Sequence, residues 1–236
     1  MEQTYKKIDM DTAVSMLKDH QLWLSSGGKE GKQAVFTGYD LSGLDSDYAE
    51  ARYIVPPFWE KNLSKIDLSY SNLSGLYFRE VNLSQADFRG ANLKNTHFYW
   101  ATLFDADFSG ADISEANIEE SSLVQANLTK ADLFKTGITY SYLENANLQD
   151  ANCQETNFRS TQLQGANLHG ANFHSADFGG ATIEENQLIH IRFAENIDFD
   201  IVKVENESLK NQISLFEDKI QLLRKGLEHT QSEFNS

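Results

Sequence analysis

The stretch Ala86-Asp87-Phe88-Arg89-Gly90-Ala91-Asn92-Leu93-Lys94-Asn95 states one five-residue unit twice: a small residue, Asp or Asn, a large apolar residue, then two variable positions. Working outward, the apolar position recurs every fifth residue from Phe58 to Phe193. It does so 28 times without a break, as 14 Leu, 9 Phe, 4 Ile and Cys153. Two residues ahead of it, 21 of the 23 positions from Ser71 to Ala181 are Ala, Ser or Thr, with Leu76 and Val81 the exceptions. The position between is Asn or Asp in 17 of the 28 units. A period of five is neither the ~3.6 of a helix nor the ~2 of a strand. It suits a chain that bends once per unit. With four units to a coil, the large residue fills the centre and the small one fits where the backbone crowds. Stacked coils then hydrogen-bond at the strand spacing of roughly 4.8 Å. A core buried only by stacking neighbours is the logic of a solenoid. Seven such coils predict a rod about 34 Å long.

In these units, of which Ala86-Asp87-Phe88 and Ala91-Asn92-Leu93 are typical, the chain resembles the pentapeptide-repeat family, whose pattern is A(D/N)LXX. The resemblance implies an all-β solenoid, a right-handed quadrilateral β-helix, here expected over residues 33–198. Ala34-Val35-Phe36 and Tyr39-Asp40-Leu41 carry the same pattern in a different phase. Residues 33–55 are therefore expected to form an irregular first coil and 56–195 the regular ones. The segment from Asp45 to Asn62, which holds the only prolines, Pro56 and Pro57, absorbs the slip as a bulge or loop.

Solenoid ends expose unpaired backbone and core, so they need covers. Residues 1–32 are expected to supply a capping helix and the lead-in to the first coil. Met10, Val14, Leu17 and Leu24 fall close to helical spacing, with Asp9 or Asp11 as N-cap and Gly27-Gly28 as the stop. After Phe193 a seven-residue rhythm begins. Phe199, Asn206, Ile213, Ile220 and Leu227 mark one heptad position, and Val202, Leu209, Phe216 and Leu223 the other. The expectation for 199–236 is a C-terminal α-helix of about four heptads, with Asn206 in the seam, forming a coiled coil that joins two copies. At about 45 Å it is longer than one rod end needs; folding back onto the last coil is the alternative.

The 236 residues hold 20 Lys+Arg against 35 Asp+Glu, a net charge of −15, of which −10 falls in residues 56–198. Broad nucleic-acid binding is not expected, because phosphate neutralisation needs clustered cations. One cysteine excludes an intramolecular disulfide framework and a Cys-rich zinc site. No apolar run approaches the ~18–20 residues of a membrane span, and MEQTYKKIDMD carries no apolar signal region. A bacterial, acidic protein of the cytoplasm is the expectation.

Motifs for chemistry are weak. Gly27-Gly28-Lys29-Glu30-Gly31-Lys32 is one residue short of a phosphate loop and is followed by Gln33 where a hydroxyl is required. Cys153 falls at an inward position and reads as core filler. His169, His174 and His190 lie towards one end without the converging support a metal needs. The column Asp67, Asp87, Asp107, Asn127 recurs every 20 residues and reads as a hydrogen-bonded ladder. Acid–base pairs need a cleft with unlike environments. The expectation is a protein that is not an enzyme and has no cofactor and no metal.

Positions 20 apart share a side of the coil, so the sides can be compared. The sides through Leu68 and Leu73 are mostly Asn, Asp, Ser, Gly and Gln outside. The side through Phe58, Phe78 and Phe98 carries Trp59, Tyr77, Arg79, His97, Tyr99, Trp100, Tyr140 and Arg159, and the adjoining side adds Phe104 and Tyr142. Aromatics with Arg are the composition of an interface core, and the repeat does not ask for them. The expected function is a scaffold that binds a protein partner through this aromatic side, as a homodimer. The resemblance implies two alternatives: an acidic rod that mimics DNA and binds DNA gyrase, protecting it from quinolones or toxins, and a secreted bacterial effector.

Overall fold

The computed structural model describes residues 4–42, 44, 58, 61–191 and 203–204. In chain order these form β1 (Lys6–Lys7), α1 (Met10–Ser25), β2 (Tyr39–Asp40), a run of turns and single parallel bridges, β3 (Thr182–Ile183), a 3-10 turn (Glu185–Gln187), α2 (Leu188–Ile191) and β4 (Lys203–Val204). The bridges define the coil. From Asn62↔Asn82 to Gln162↔Thr182, each pair is parallel and 20 residues apart.

Most bends are four-residue turns closed by one backbone bond, such as Ala91 N–H to Phe88 O at 3.0 Å; on the Phe78 side the N–H groups of Ala101 and Ser121 donate instead to the Ser121 and Ser141 hydroxyls one coil on, at 3.0 and 3.1 Å. The third residue of the bend is left-handed. Every fifth residue from Lys65 to Gly180 has a positive φ, between 50° and 75°, and most of them are not glycine. That is the backbone a type II turn demands. The Asn or Asp of the unit holds the turn from within: Asn82 Oδ1 accepts the Ser84 N–H and Asp87 Oδ1 the Arg89 N–H, both at 3.0 Å. This Asx contact explains the residue preference. The same side chains also rung the ladder, Asn92 Nδ2 donating to Asn72 Oδ1 at 2.9 Å and Asn152 Nδ2 to Asp132 Oδ1 at 2.8 Å.

All 26 large positions from Phe58 to Ile183 are at most 3% exposed. At roughly 1.5–3 kcal/mol for each buried large side chain, this column is the main favourable term of the fold. Its phenylalanines stack by coil, Phe78 on Phe98 at 4.9 Å and Phe88 on Phe108 at 4.7 Å. Ser and Thr at the small position stay buried because each hydroxyl donates to a carbonyl, as Thr136 to Ile113 O and Thr156 to Leu133 O.

Two bridges carry the phase slip, and the segment expected to absorb it lies almost wholly outside the described residues. Val35 bridges Asp67 and Asp40 bridges Asn72, an offset of 32 residues instead of 20. The first coil is therefore in register with the second, and the surplus residues lie between Leu41 and Asn62. The N-terminus adds a feature that the periodicity did not show: β1 pairs in parallel with β2, beneath the first coil.

Helix α1 starts at Asp9, whose carboxylate accepts the Thr12 N–H at 2.8 Å; this contact and the Thr12 hydroxyl lower the Asp9 pKa. Its buried face is Ala13, Leu17 and His20, rotated from the expected stripe, with Val14 and Leu24 only half-buried. His20 is the reason. Its Nδ1 accepts the Ala34 N–H and its Nε2 meets Ser64 O, both at 3.1 Å, so one ring binds two coils to the helix. The first contact fixes the tautomer: Nδ1 is bare and Nε2 carries the proton. The return from the helix passes so close that a Cβ on Gly31 would sit 2.3 Å from Asp19 O.

At the other end, regular coils were expected to 195, but residues 185–191 turn helical. Asn186 stands at the small inward position and is exposed. Gln187, buried, instead donates from Nε2 to Leu163 O and Ala166 O, satisfying carbonyls of the coil below. Leu188 is thus on a helix and only partly buried. Beyond it β4 pairs in parallel with β3.

Candidate interaction surface

The Phe78 side brings five of the expected residues together. Tyr77 and His97 occupy the Asx position in successive coils, and their rings stack at 4.3 Å. Tyr99 stacks on His97 at 5.9 Å, and Trp100 lies beyond it at the corner. The Arg79 guanidinium lies 4.8 Å over the Trp100 ring and its Nε donates to Glu80 at 3.0 Å. The indole N–H of Trp100 donates to Glu120 Oε2 at 2.9 Å. Asn117 Nδ2 donates to the Tyr99 hydroxyl at 3.0 Å and to Glu119 at 3.1 Å. Burial pushes the His97 pKa down against the opposing pull of Glu119; burial, then Glu119, raises that of Tyr99.

Tyr140 and Tyr142 form a second group two coils further on than Trp100. With Glu120, Ser160 and Gln162 they line an open recess of about 490 Å³. Tyr140 is 64% exposed and Trp100 47%. Glu120 joins the groups, since it holds Trp100 on one side and borders the recess on the other. Arg159 does not join them; it pairs with Asp177 at 3.2 Å. Phe104 is exposed on the adjoining side. Trp59 lies outside the described residues, as do Val202, Asn206, Leu209, Ile213, Phe216, Ile220, Leu223 and Leu227, the expected dimer seam.

Reading aromatics alone missed Glu119 and Glu120. The signal was available in the corner column at 20-residue spacing: Glu80, Trp100, Glu120, Tyr140. Each of these is left-handed, Trp100 at φ 54° and Tyr140 at φ 56°. A bulky ring there costs on the order of 1–2 kcal/mol relative to an ordinary backbone.

Elsewhere, His169 and His190 meet edge to face at 5.6 Å, and among the described residues no three His, Cys, Asp or Glu converge on a metal position. Cys153 is buried, and that burial pushes its thiol pKa far up. No described helix is long and apolar enough to cross a membrane.

A four-sided parallel coil with a continuous core and a decorated exterior defines a solenoid repeat protein. The family described as pentapeptide repeats matches in eight copies over residues 58–85, 82–119, 111–150 and 146–185, and the chain belongs to that family, whose members form right-handed quadrilateral β-helices. No curated protein matches the chain. Among solved structures, trypsin-treated QnrB1, a plasmid-mediated fluoroquinolone resistance protein, is 19% identical, with 69% of this chain and 87% of that one covered and a TM-score of 0.50. HetL of the cyanobacterium Nostoc, involved in heterocyst differentiation regulation, is 22% identical over 69% of this chain and 79% of its own, with a TM-score of 0.21. A pentapeptide repeat protein from the Arabidopsis thaliana thylakoid lumen is 26% identical over 63% and 86%, with a TM-score of 0.28. The likeness to QnrB1 is one of fold.

Proposed function

We propose that this protein is a non-enzymatic scaffold of the cytoplasm that binds a protein partner through the aromatic Phe78 side. The observation that carries the reading is the placement of Trp100 and Tyr140 at left-handed corners, 47% and 64% exposed, where the repeat asks for no ring. The corner backbone is the same at every unit, so the coil gains nothing from a ring there, and neither ring joins the core. The neighbouring Tyr77, His97 and Arg79 give that contact a stacked, partly desolvated centre, the composition of interface hot spots. Joint replacement of Tyr99, Trp100 and Tyr142 by Ser should preserve the β-rich circular dichroism and abolish co-purification of the partner. Unfolding, or an unchanged set of co-purifying proteins, would overturn the reading.

The homodimer is part of the proposal and rests on the heptads of 199–236, outside the described residues. Light scattering on the full chain and on a chain ending at residue 198 should give a dimer and a monomer; equal masses refute it. A second reading, binding to DNA gyrase as an acidic mimic of DNA, is favoured by the net charge of −15. It requires that micromolar protein alter gyrase supercoiling or poison-stabilised cleavage, and an inert result removes it. An effector role would show as transfer of the tagged chain out of the producing cell; retention in the cytoplasm counts against it.

A further inference from the structure

The corner column alternates acid and ring twice: Glu80 with Trp100, then Glu120 with Tyr140. The first pair is filled from within the chain. Arg79 stands just before Glu80, lays its guanidinium over Trp100 and donates to Glu80. Two coils on, the position equivalent to Arg79 is Glu119. The second pair therefore has the acid and the ring without the arginine, and the recess bordered by Glu120, Tyr140, Tyr142, Ser160 and Gln162 opens there.

We propose that this recess seats an arginine side chain presented by the protein partner. The inference rests on the interaction-surface reading above and names the chemistry that the surface would recognise. Glu120 is pre-aimed, because the Trp100 indole N–H holds one of its oxygens and leaves lone pairs for a second donor. Among the described residues no cation pairs with Glu120; the ion pairs engage Asp40, Glu80, Asp87, Asp107, Glu115, Glu155 and Asp177. Two tyrosine rings offer π faces to a flat cation. A guanidinium satisfies all three demands at once: it is planar enough to stack, forked enough to pair with a carboxylate, and weakly hydrated enough to leave water. The net charge of −10 in residues 56–198 attracts a basic segment to the rod before contact.

The test is titration of the intact protein with acetyl-Gly-Arg-Gly-amide, followed by NMR of the Tyr140 and Tyr142 ring protons and the Trp100 indole proton. The matched peptide with citrulline, equal in shape and uncharged, is the control. Saturable shifts are expected with the arginine peptide, weakened by salt, with the citrulline peptide roughly tenfold weaker or more. Glu120→Gln and the pair Tyr140→Ser with Tyr142→Gln should each weaken arginine binding about fivefold or more. These variants keep the fold, because Gln85 and Gln125 already occupy corners, and Ser160 and Gln162 stand one coil on from Tyr140 and Tyr142. Equal affinity for the two peptides, or a Glu120→Gln protein indistinguishable from wild type, overturns the seat. If the peptide fails while the triple Ser variant still loses the partner, the surface stands and only the arginine seat falls. If the peptide binds and partner capture ignores the triple variant, the seat stands and the wider surface falls.

Discussion

Replacing His20 by Ala is the sharpest probe of how the first coil is held. The ring is fully buried and makes two bonds, to the Ala34 N–H and to Ser64 O, each at 3.1 Å. Alanine leaves a buried donor and a part-buried acceptor in separate coils, and an unsatisfied buried group costs about 1–3 kcal/mol. Taking the lower half of that range for two groups gives roughly 2–4 kcal/mol, before the lost contact with Trp23 at 5.6 Å. A solenoid opens by neighbouring units, so the loss concentrates at the N-terminal end. Amide hydrogen exchange should show protection of residues 10–36 falling about 30- to 1,000-fold, while residues 120–160 stay unchanged. Proton linkage gives a second readout. Burial lowers the His20 pKa in the folded protein, against the opposing bond to Ser64, whereas the unfolded ring titrates near 6.5. The unfolded state therefore binds more protons below about pH 6.5, and this contribution to stability, complete above that pH, declines on acidification. The His20→Ala protein should lack that part of the slope. Unaltered protection of α1, or loss spread evenly along the rod, would show that His20 does not tie the helix to the coils.

Three more outcomes follow from the same geometry. Gly110 is left-handed with open space where a Cβ would go, so Gly110→Ala should cost about 1–2 kcal/mol through backbone alone, read as a lower chemical-denaturation midpoint; no loss refutes the corner argument. Phe98→Ala removes a ring stacked on Phe78 and edge-on to Phe88 and Phe108. It should destabilise by about 3–5 kcal/mol, with Phe98→Leu much milder in the same melt. The Cys153 thiol, buried with its pKa pushed up, should resist a thiol reagent in the native protein and react on unfolding; native labelling at free-cysteine rates refutes its place in the core.

How much of this was legible depends on which residues repeat. The large position, the small position and the Asx position recur often enough for the coil, its four sides and its phase slip to be read from spacing, and the bridges at 20 and 32 residues reproduce them. What occurs once was not legible. His20 reads as one polar residue in a helix, and its partners, Ala34 and Ser64, are 14 and 44 residues away. Gln187 reads as another Asx-position variant until its amide is seen spanning Leu163 and Ala166 carbonyls. On the surface, the aromatics stood out because the repeat does not require them. Glu120 did not, because acids are common in this chain, and only its bond to Trp100 separates it from the rest.

The 20-residue bridge spacing has a consequence for how such a chain changes over generations. Duplicating 20 residues lengthens the rod by about 4.8 Å and returns every later side chain to its former face. Duplicating five residues instead turns everything beyond it by a quarter of a revolution. Tyr140 would then leave the column it shares with Trp100, with no core position altered. Reach and facing are thus inherited separately, and the 32-residue step between Val35 and Asp67 shows the rule being kept: whatever was inserted there, the next coil resumed its place.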